Sequence, residues 1–231
     1  MIKISRALIS VSDKTNILDL ATILQKFKIE IISTGGTATL LKKNNIKVTE
    51  VSNYTKFPEM LDGRVKTLHP KIYGGILAKK DDPKHLETLK ENSIPQIDLV
   101  IVNLYPFEAT INNPKCNLEL AIENIDIGGP TMIRAAAKNY KSTVILTDPS
   151  TYDNFSKELK KNKGKIGESY RFKLAQNAFS HTAHYDEAIS KYLSRTDKKI
   201  IFPKTLNQSL NKKMDMRYGE NPHQKAAFYV E

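Results

Sequence analysis

Residues 97–105 read "IDLVIVNLY". Apolar side chains run almost unbroken here, where a strand with one wet face would alternate polar and apolar residues. Such a run predicts a central strand covered on both faces, and that cover comes from helices layered on a parallel sheet. The segments around it follow the same logic. "ALISV" (7–11) is a strand candidate, with Ser12 or Asp13 as the cap of the helix that follows. In that helix Ile17, Leu20, Ala21, Leu24 and Phe27 recur at helical spacing. "IEIIS" (29–33) predicts a second strand, Gly35-Gly36 a turn, and "TATLLKKNN" (37–45) a short helix. "IKVTEV" (46–51) and "STVILT" (142–147) complete the strands, and Pro130 suits the first turn of a helix continuing through "TMIRAAAKN" (131–139). The expected fold class is α/β, a mainly parallel sheet with helices on both faces, followed by a helical segment from Pro149 to Arg195.

Composition narrows the function. The chain has 231 residues, 40% hydrophobic and 26% charged, which suits a globular protein with a real core. Its net charge of +11 invites a nucleic-acid reading. Much of that excess sits in lysine-rich stretches such as "KELKKNKGK" (157–165), which interleave no aromatic residues, so a polyanion partner is the minority option. Cys116 is the only cysteine, which excludes an internal disulfide and a cysteine-based zinc site and suits a reducing cytoplasm. The N-terminus lacks a long apolar signal region, and no stretch reaches the roughly 20 apolar residues of a membrane span.

In parallel α/β sheets, ligands gather at the carboxyl ends of the strands. "SVSDK" (10–14), "STGGT" (33–37), "NLYPF" (103–107) and "NIDIGGPT" (124–131) all fall there. The first two run from a strand end through hydroxyls or glycines into a helix start, which offers backbone N–H groups and a helix dipole to a phosphate. Neither matches the P-loop or GxGxxG pattern, and each also reads as a plain turn or cap. Lys66 and Lys138 are candidate cations, Tyr105 a proton donor and Asp126 a proton acceptor. "GRVKTLHPK" (63–71) reads as either a solvated basic loop or an anion site, with His69 before Pro70 shaping a turn. His181 and His184 lie three apart on an expected helix without an evident third metal ligand.

Together "SVSDK", "STGGT", "GRVKTLHPKIYGGIL", "DLVIVNLYPF", "ENIDIGGPTMIRAAAKN" and "RYGENPHQ" resemble, in this order, the amino-terminal half of a bifunctional purine-biosynthesis family. That family joins AICAR transformylase to IMP cyclohydrolase. The likeness covers residues 6 to about 195 and the tail from Arg217. It implies a methylglyoxal-synthase-like three-layer fold and dehydrative closure of FAICAR (5-formamidoimidazole-4-carboxamide ribotide) to IMP in a cytoplasmic homodimer. The domain organisation expected from it is a cyclohydrolase domain at 1–148, a helical extension at 149–195 and a linker at 196–215. The opening of a transformylase domain follows at 216–231, as in a chain cut short.

By the same resemblance Lys66, Tyr105, Asp126 and Lys138 match catalytic positions. Lys66 would sit by the formyl oxygen, Lys138 would support developing charge, and Tyr105 with Asp126 would handle protons. Ser10, Ser12, Lys14, Ser33, Thr34, Gly35, Gly36, Thr37, Arg64 and Thr67 would hold the phosphate and ribose, while Asn103 and Gly128 would line the base. No metal or organic cofactor is implied for ring closure; 10-formyltetrahydrofolate would serve only the missing transformylase. Two other readings stand beside it. One is a phosphate-binding regulatory module of the same fold, as in the related carbamoyl-phosphate synthetase domain, or methylglyoxal synthase itself. The other is a basic nucleic-acid-binding domain.

Overall fold

The computed structural model describes residues 1–196 and 201–230. Its strands are β1 (Ile2–Lys3), β2 (Arg6–Val11), β3 (Glu30–Ser33), β4 (Thr49–Glu50), β5 (Leu99–Asn103), β6 (Val144–Leu146), β7 (Lys165–Ile166), β8 (Asn211–Met216) and β9 (Ala226–Val230). Its helices are α1 (Ile17–Lys26), α2 (Gly35–Lys43), α3 (Val51–Thr55), α4 (Pro70–Leu77), α5 (Pro83–Glu91), α6 (Phe107–Ile111), α7 (Leu118–Glu123), α8 (Gly128–Lys138), α9 (Tyr152–Lys161) and α10 (Glu168–Thr196).

The main sheet has the order β4-β3-β2-β5-β6, every pairing parallel. From the centre the chain steps one way through β3 and β4 and the other way from β5 to β6. Because parallel crossovers are right-handed, these opposite steps put their helices on opposite faces. That is the α/β layering the apolar run at 97–105 predicts. All five residues of β5 are buried, and each of its four apolar side chains contributes roughly 1.5–3 kcal/mol by leaving water. At the amino ends of the strands, Asp98 Oδ2 accepts from the N–H groups of Ser5 (2.7 Å) and Arg6 (2.9 Å). This holds β2 and β5 in register, Ala7 opposite Leu99 through Val11 opposite Asn103. The carboxyl ends of the two strands therefore open side by side, at the point where the strand order reverses.

Beyond β6 the chain turns helical, as expected, and α10 is anchored by Arg171, 2% exposed. Its guanidinium donates to three carbonyls, Tyr140 (2.7 Å), Ile166 (2.5 Å) and Lys141 (2.9 Å). Sharing its donors among three backbone carbonyls offsets the cost of burying the cation.

Several local expectations need correction. Neither Ser12 nor Asp13 caps α1: Asp13 Oδ1 accepts from Thr15 N–H (2.9 Å), and Asn16 takes the cap position with φ +58° and no side-chain bond. Gly35 and Gly36 are not a separate turn but the first residues of α2, Gly35 at φ +54°. The strand expected at 46–51 shortens to Thr49–Glu50, and α3 begins at Val51. His69 accepts at Nδ1 from Lys71 N–H (3.1 Å), so the His-Pro pair starts α4. Lys71, unaccounted for by any motif, lies over the Tyr54 ring at 5.3 Å. Residues 211–215 of the expected linker belong to β8, which pairs antiparallel with β9. Residues 197–200 of that expected linker, and Glu231, lie outside the described residues.

Candidate functional site

Over the carboxyl ends of β2, β3 and β5 lies a cavity of about 660 Å³. Among its lining are Ser10, Ser12, Lys14, Thr34, Gly35, Gly36, Thr37, Arg64, Lys66, Thr67, Asn103, Tyr105, Asp126 and Gly128. Three strand ends, the 61–68 loop and the start of α8 thus bring together fourteen residues that the sequence places far apart.

One side of the cavity is built for an anion. No side chain caps α2, so its first N–H groups face the space beside Lys66 and Lys14. A Cβ on Gly35 would lie 3.4 Å from Lys66 Nζ, and one on Gly36 would lie 3.9 Å from Lys14 Cε. Lys14 Nζ also donates to the carbonyls of Val11 and Ser12, both at 3.1 Å, which holds the chain of "SVSDK" against the cavity floor. Thr37 Oγ1 bridges to Val11, donating to its carbonyl (3.0 Å) and accepting from its N–H (3.2 Å). The cations are not idle in this state. Lys66 lies 3.4 Å from Glu59, whose other carboxylate oxygen accepts from the Thr34 hydroxyl (2.8 Å), and Arg64 pairs with Glu123. An incoming anion therefore competes with two carboxylates. No motif contains Glu59; only folding brings it to Thr34 and Lys66.

The other side handles protons. Asp126 closes the first turn of α8, its Oδ1 accepting from Gly129 N–H at 2.8 Å. The fit is tight: a Cβ on Gly129 would fall 2.4 Å from Asp126 Oδ2 and 2.7 Å from a Leu104 methyl carbon. Burial raises the Asp126 carboxyl above its ordinary value, against the backbone N–H groups of Gly129 and Tyr105, which lower it. A carboxyl raised by burial inside a cleft is what proton transfer near neutral pH asks for. The folded chain thus holds this proton more tightly than the unfolded chain. As pH rises from below 3.8 through the raised value, the wild type should lose stability relative to Asp126→Asn. Thermal unfolding of both chains over a pH series checks this; a wild type that holds level or gains stability relative to Asp126→Asn as pH rises overturns it.

The structure does not bring every expected residue into the cavity. Ser33 is fully buried and donates its hydroxyl to the Ile9 carbonyl at 2.7 Å, so it fastens β3 to β2 and leaves nothing for a ligand. Asn103 lines the cavity but turns its amide to the backbone: Oδ1 accepts from Ser12 (2.6 Å) and Asp13 (2.9 Å), and Nδ2 donates to Asp13 O (2.9 Å). It positions the β2 loop rather than presenting its amide to a base. Gly128 serves by its lack of a side chain, since a Cβ there would meet Thr67 Oγ1 at 3.0 Å.

Lys138 is the main departure. Ten residues along α8 from Gly128, it lies about 15 Å down the helix axis. There it lines a separate groove of about 580 Å³ with Tyr73, Arg134, Phe172 and Phe179. Of the two histidines on α10, His184 lies 3.2 Å from Glu108. Among the described residues no helix is long and apolar enough to cross a membrane.

Comparison with known proteins agrees with this architecture. The family model of the MGS-like domain matches residues 16–131, and that of the AICARFT/IMPCHase bienzyme matches residues 136–231. Two curated relatives, each named bifunctional purine biosynthesis protein PurH, come from Neisseria meningitidis serogroup A (serotype 4A) and serogroup C (serotype 2a). Each is 55% identical over 237 residues, covering 99% of this chain and 45% of the relative. The chain thus spans about half the length of the curated relatives it matches. The crystal structure of ForH superposes with a TM-score of 0.77 at 34% identity, covering 84% of this chain and 98% of that one. The chain belongs to the MGS-like domain family, and its residues 136–231 match the AICARFT/IMPCHase bienzyme model.

Proposed function

We propose that this chain is an IMP cyclohydrolase, closing FAICAR to IMP with loss of water. The observation that supports it best is the pairing, in one cavity, of a phosphate-suited helix N-terminus with a partly buried carboxyl of raised pKa. A phosphate pocket alone has no use for the second feature. In the reaction the carboxamide nitrogen attacks the formyl carbon, negative charge grows on the formyl oxygen, and a proton must leave the nitrogen. The amide is a poor nucleophile, so holding it against the formyl group supplies much of the acceleration.

In this reading Lys14 and the α2 N-terminus, Thr34 to Thr37, hold the 5′-phosphate, with Ser10, Ser12, Arg64 and Thr67 along the ribose. Lys66 faces the formyl oxygen, and Asp126 with Tyr105 moves the protons. Lys138 has no part within this chain's own cavity, because α8 carries it to the far end of the helix. The formyl group is already on the substrate, so ring closure requires no metal or organic cofactor. The proposal includes a cytoplasmic homodimer, and 216–231 as the opening of a transformylase domain that would use 10-formyltetrahydrofolate.

The test is to incubate the chain with FAICAR, without folate, and follow IMP absorbance. Saturable IMP formation supports the reading. Saturable binding of a nucleoside monophosphate without turnover would favour the phosphate-binding module instead. Affinity for DNA or RNA that falls steeply with salt would favour the nucleic-acid reading.

A further inference from the structure

We infer that Tyr185, on the helical extension α10, is a positioning residue for the ring-closure site, holding the Tyr105 and Asp126 segments in register with each other. This rests on the cyclohydrolase reading and adds a residue to it that no motif singled out.

Tyr105 and Asp126 reach the cavity on different pieces of chain. Tyr105 follows β5 and runs into α6, and Asp126 lies between α7 and α8. Proton transfer through the pair needs both at hydrogen-bonding reach of one substrate, and displacement by about 1 Å can cost on the order of 100-fold in rate. Something outside the two segments has to hold them. Tyr185 touches both. Its hydroxyl oxygen accepts a hydrogen bond from the Asp126 backbone N–H at 2.8 Å. Its ring meets the Phe107 ring edge-on, with centroids 6.2 Å apart and an interplanar angle of 70°. Phe107 in turn donates its N–H to the Tyr105 carbonyl at 2.8 Å, and its ring is gripped from a second direction by Tyr192 at 5.8 Å.

The contact is well placed to act. Tyr185 is 8% exposed and Phe107 2%, so neither ring moves without opening the core. Burial raises the Tyr185 phenol, which keeps it neutral although the Asp126 N–H it accepts from lowers it. One turn of α10 also ties to α6 by a separate bond, His184 to Glu108 at 3.2 Å. Residues well beyond the sheet thus brace the two loops that carry the proton-handling pair.

Tyr185→Phe keeps the ring against Phe107 and removes only the oxygen; Tyr185→Leu removes both contacts. The experiment measures steady-state FAICAR closure by the chain and hydrogen exchange at the Asp126 amide. Tyr185→Phe should lower kcat about 5- to 10-fold with KM within twofold, and speed Asp126 exchange about 10-fold. Tyr185→Leu should lower kcat further. A role confined to stability would lower the melting temperature and leave kcat alone. Unchanged kcat in Tyr185→Phe, with an active wild type, overturns the inference and leaves the cyclohydrolase reading standing. A wild type inert towards FAICAR overturns that reading and the inference with it. Even without a folded variant, an Asp126 amide that exchanges freely in the wild-type chain overturns the inference.

Discussion

Lys66→Ala is expected to lower kcat/KM for IMP formation by about 100- to 1,000-fold while leaving the chain folded. The size follows from what a single well-placed cation or donor contributes where charge develops, about 3–4 kcal/mol once bound substrate excludes water. The fold should survive because the Lys66 side chain is partly exposed, and its ion pair with Glu59 is 3.4 Å long and shared with solvent. Exposed pairs of this kind contribute about 1 kcal/mol or less. The loss should fall mainly on kcat if Lys66 faces the formyl oxygen. If it falls wholly on KM, Lys66 is a ground-state phosphate ligand, in line with its nearness to Gly35. Steady-state kinetics with FAICAR, beside a chemical denaturation curve, separates the outcomes. Near-wild-type turnover would remove Lys66 from the mechanism.

Tyr105→Phe and Asp126→Asn should each cost about 100- to 10,000-fold in kcat, the range of general acid–base catalysis, and the double variant little more than the worse single one. Phenylalanine at 105 removes only the hydroxyl and keeps the backbone N–H that lowers the Asp126 carboxyl. The Tyr105→Phe loss therefore reports the hydroxyl, not a displaced carboxylate. If the two side chains move one proton between them, removing either breaks the path and the second removal finds nothing left to break. Losses that multiply would assign them to separate steps. The stability of Asp126→Asn, followed with pH as above, shows that the variant is folded when its rate is measured.

Much of the fold is legible from residue order because its signals are local. The run from Leu99 to Val102 has no alternation, and it lies in the one environment, a strand covered on both faces, that such a run tolerates. The spacing of Ile17, Leu20, Ala21 and Leu24 likewise marks the buried face of α1. Short signals decide less. Two adjacent glycines look like a turn, yet tertiary packing draws Gly35 and Gly36 into the first turn of α2. The two-residue strands β1 and β7 carry no period at all and exist through their pairing, Ile2 with Ile166.

The site divides in the same way. The amino-acid sequence by itself determined the fold class and the chemistry on offer, because apolar periodicity, strand-end glycines and residue types act over a few neighbours. Tertiary structure alone decided who meets whom. It turned the Ser33 hydroxyl inward and spent the Asn103 amide on backbone, since buried polar groups are bonded first to what lies nearest. It carried Lys138 away from Asp126, because a helix rising about 1.5 Å per residue separates its two ends whatever motif spans them. And it set Glu59 beside Lys66 and Tyr185 behind Asp126, contacts 7 and 59 residues apart in the chain, which come from how the loops and α10 close over the sheet.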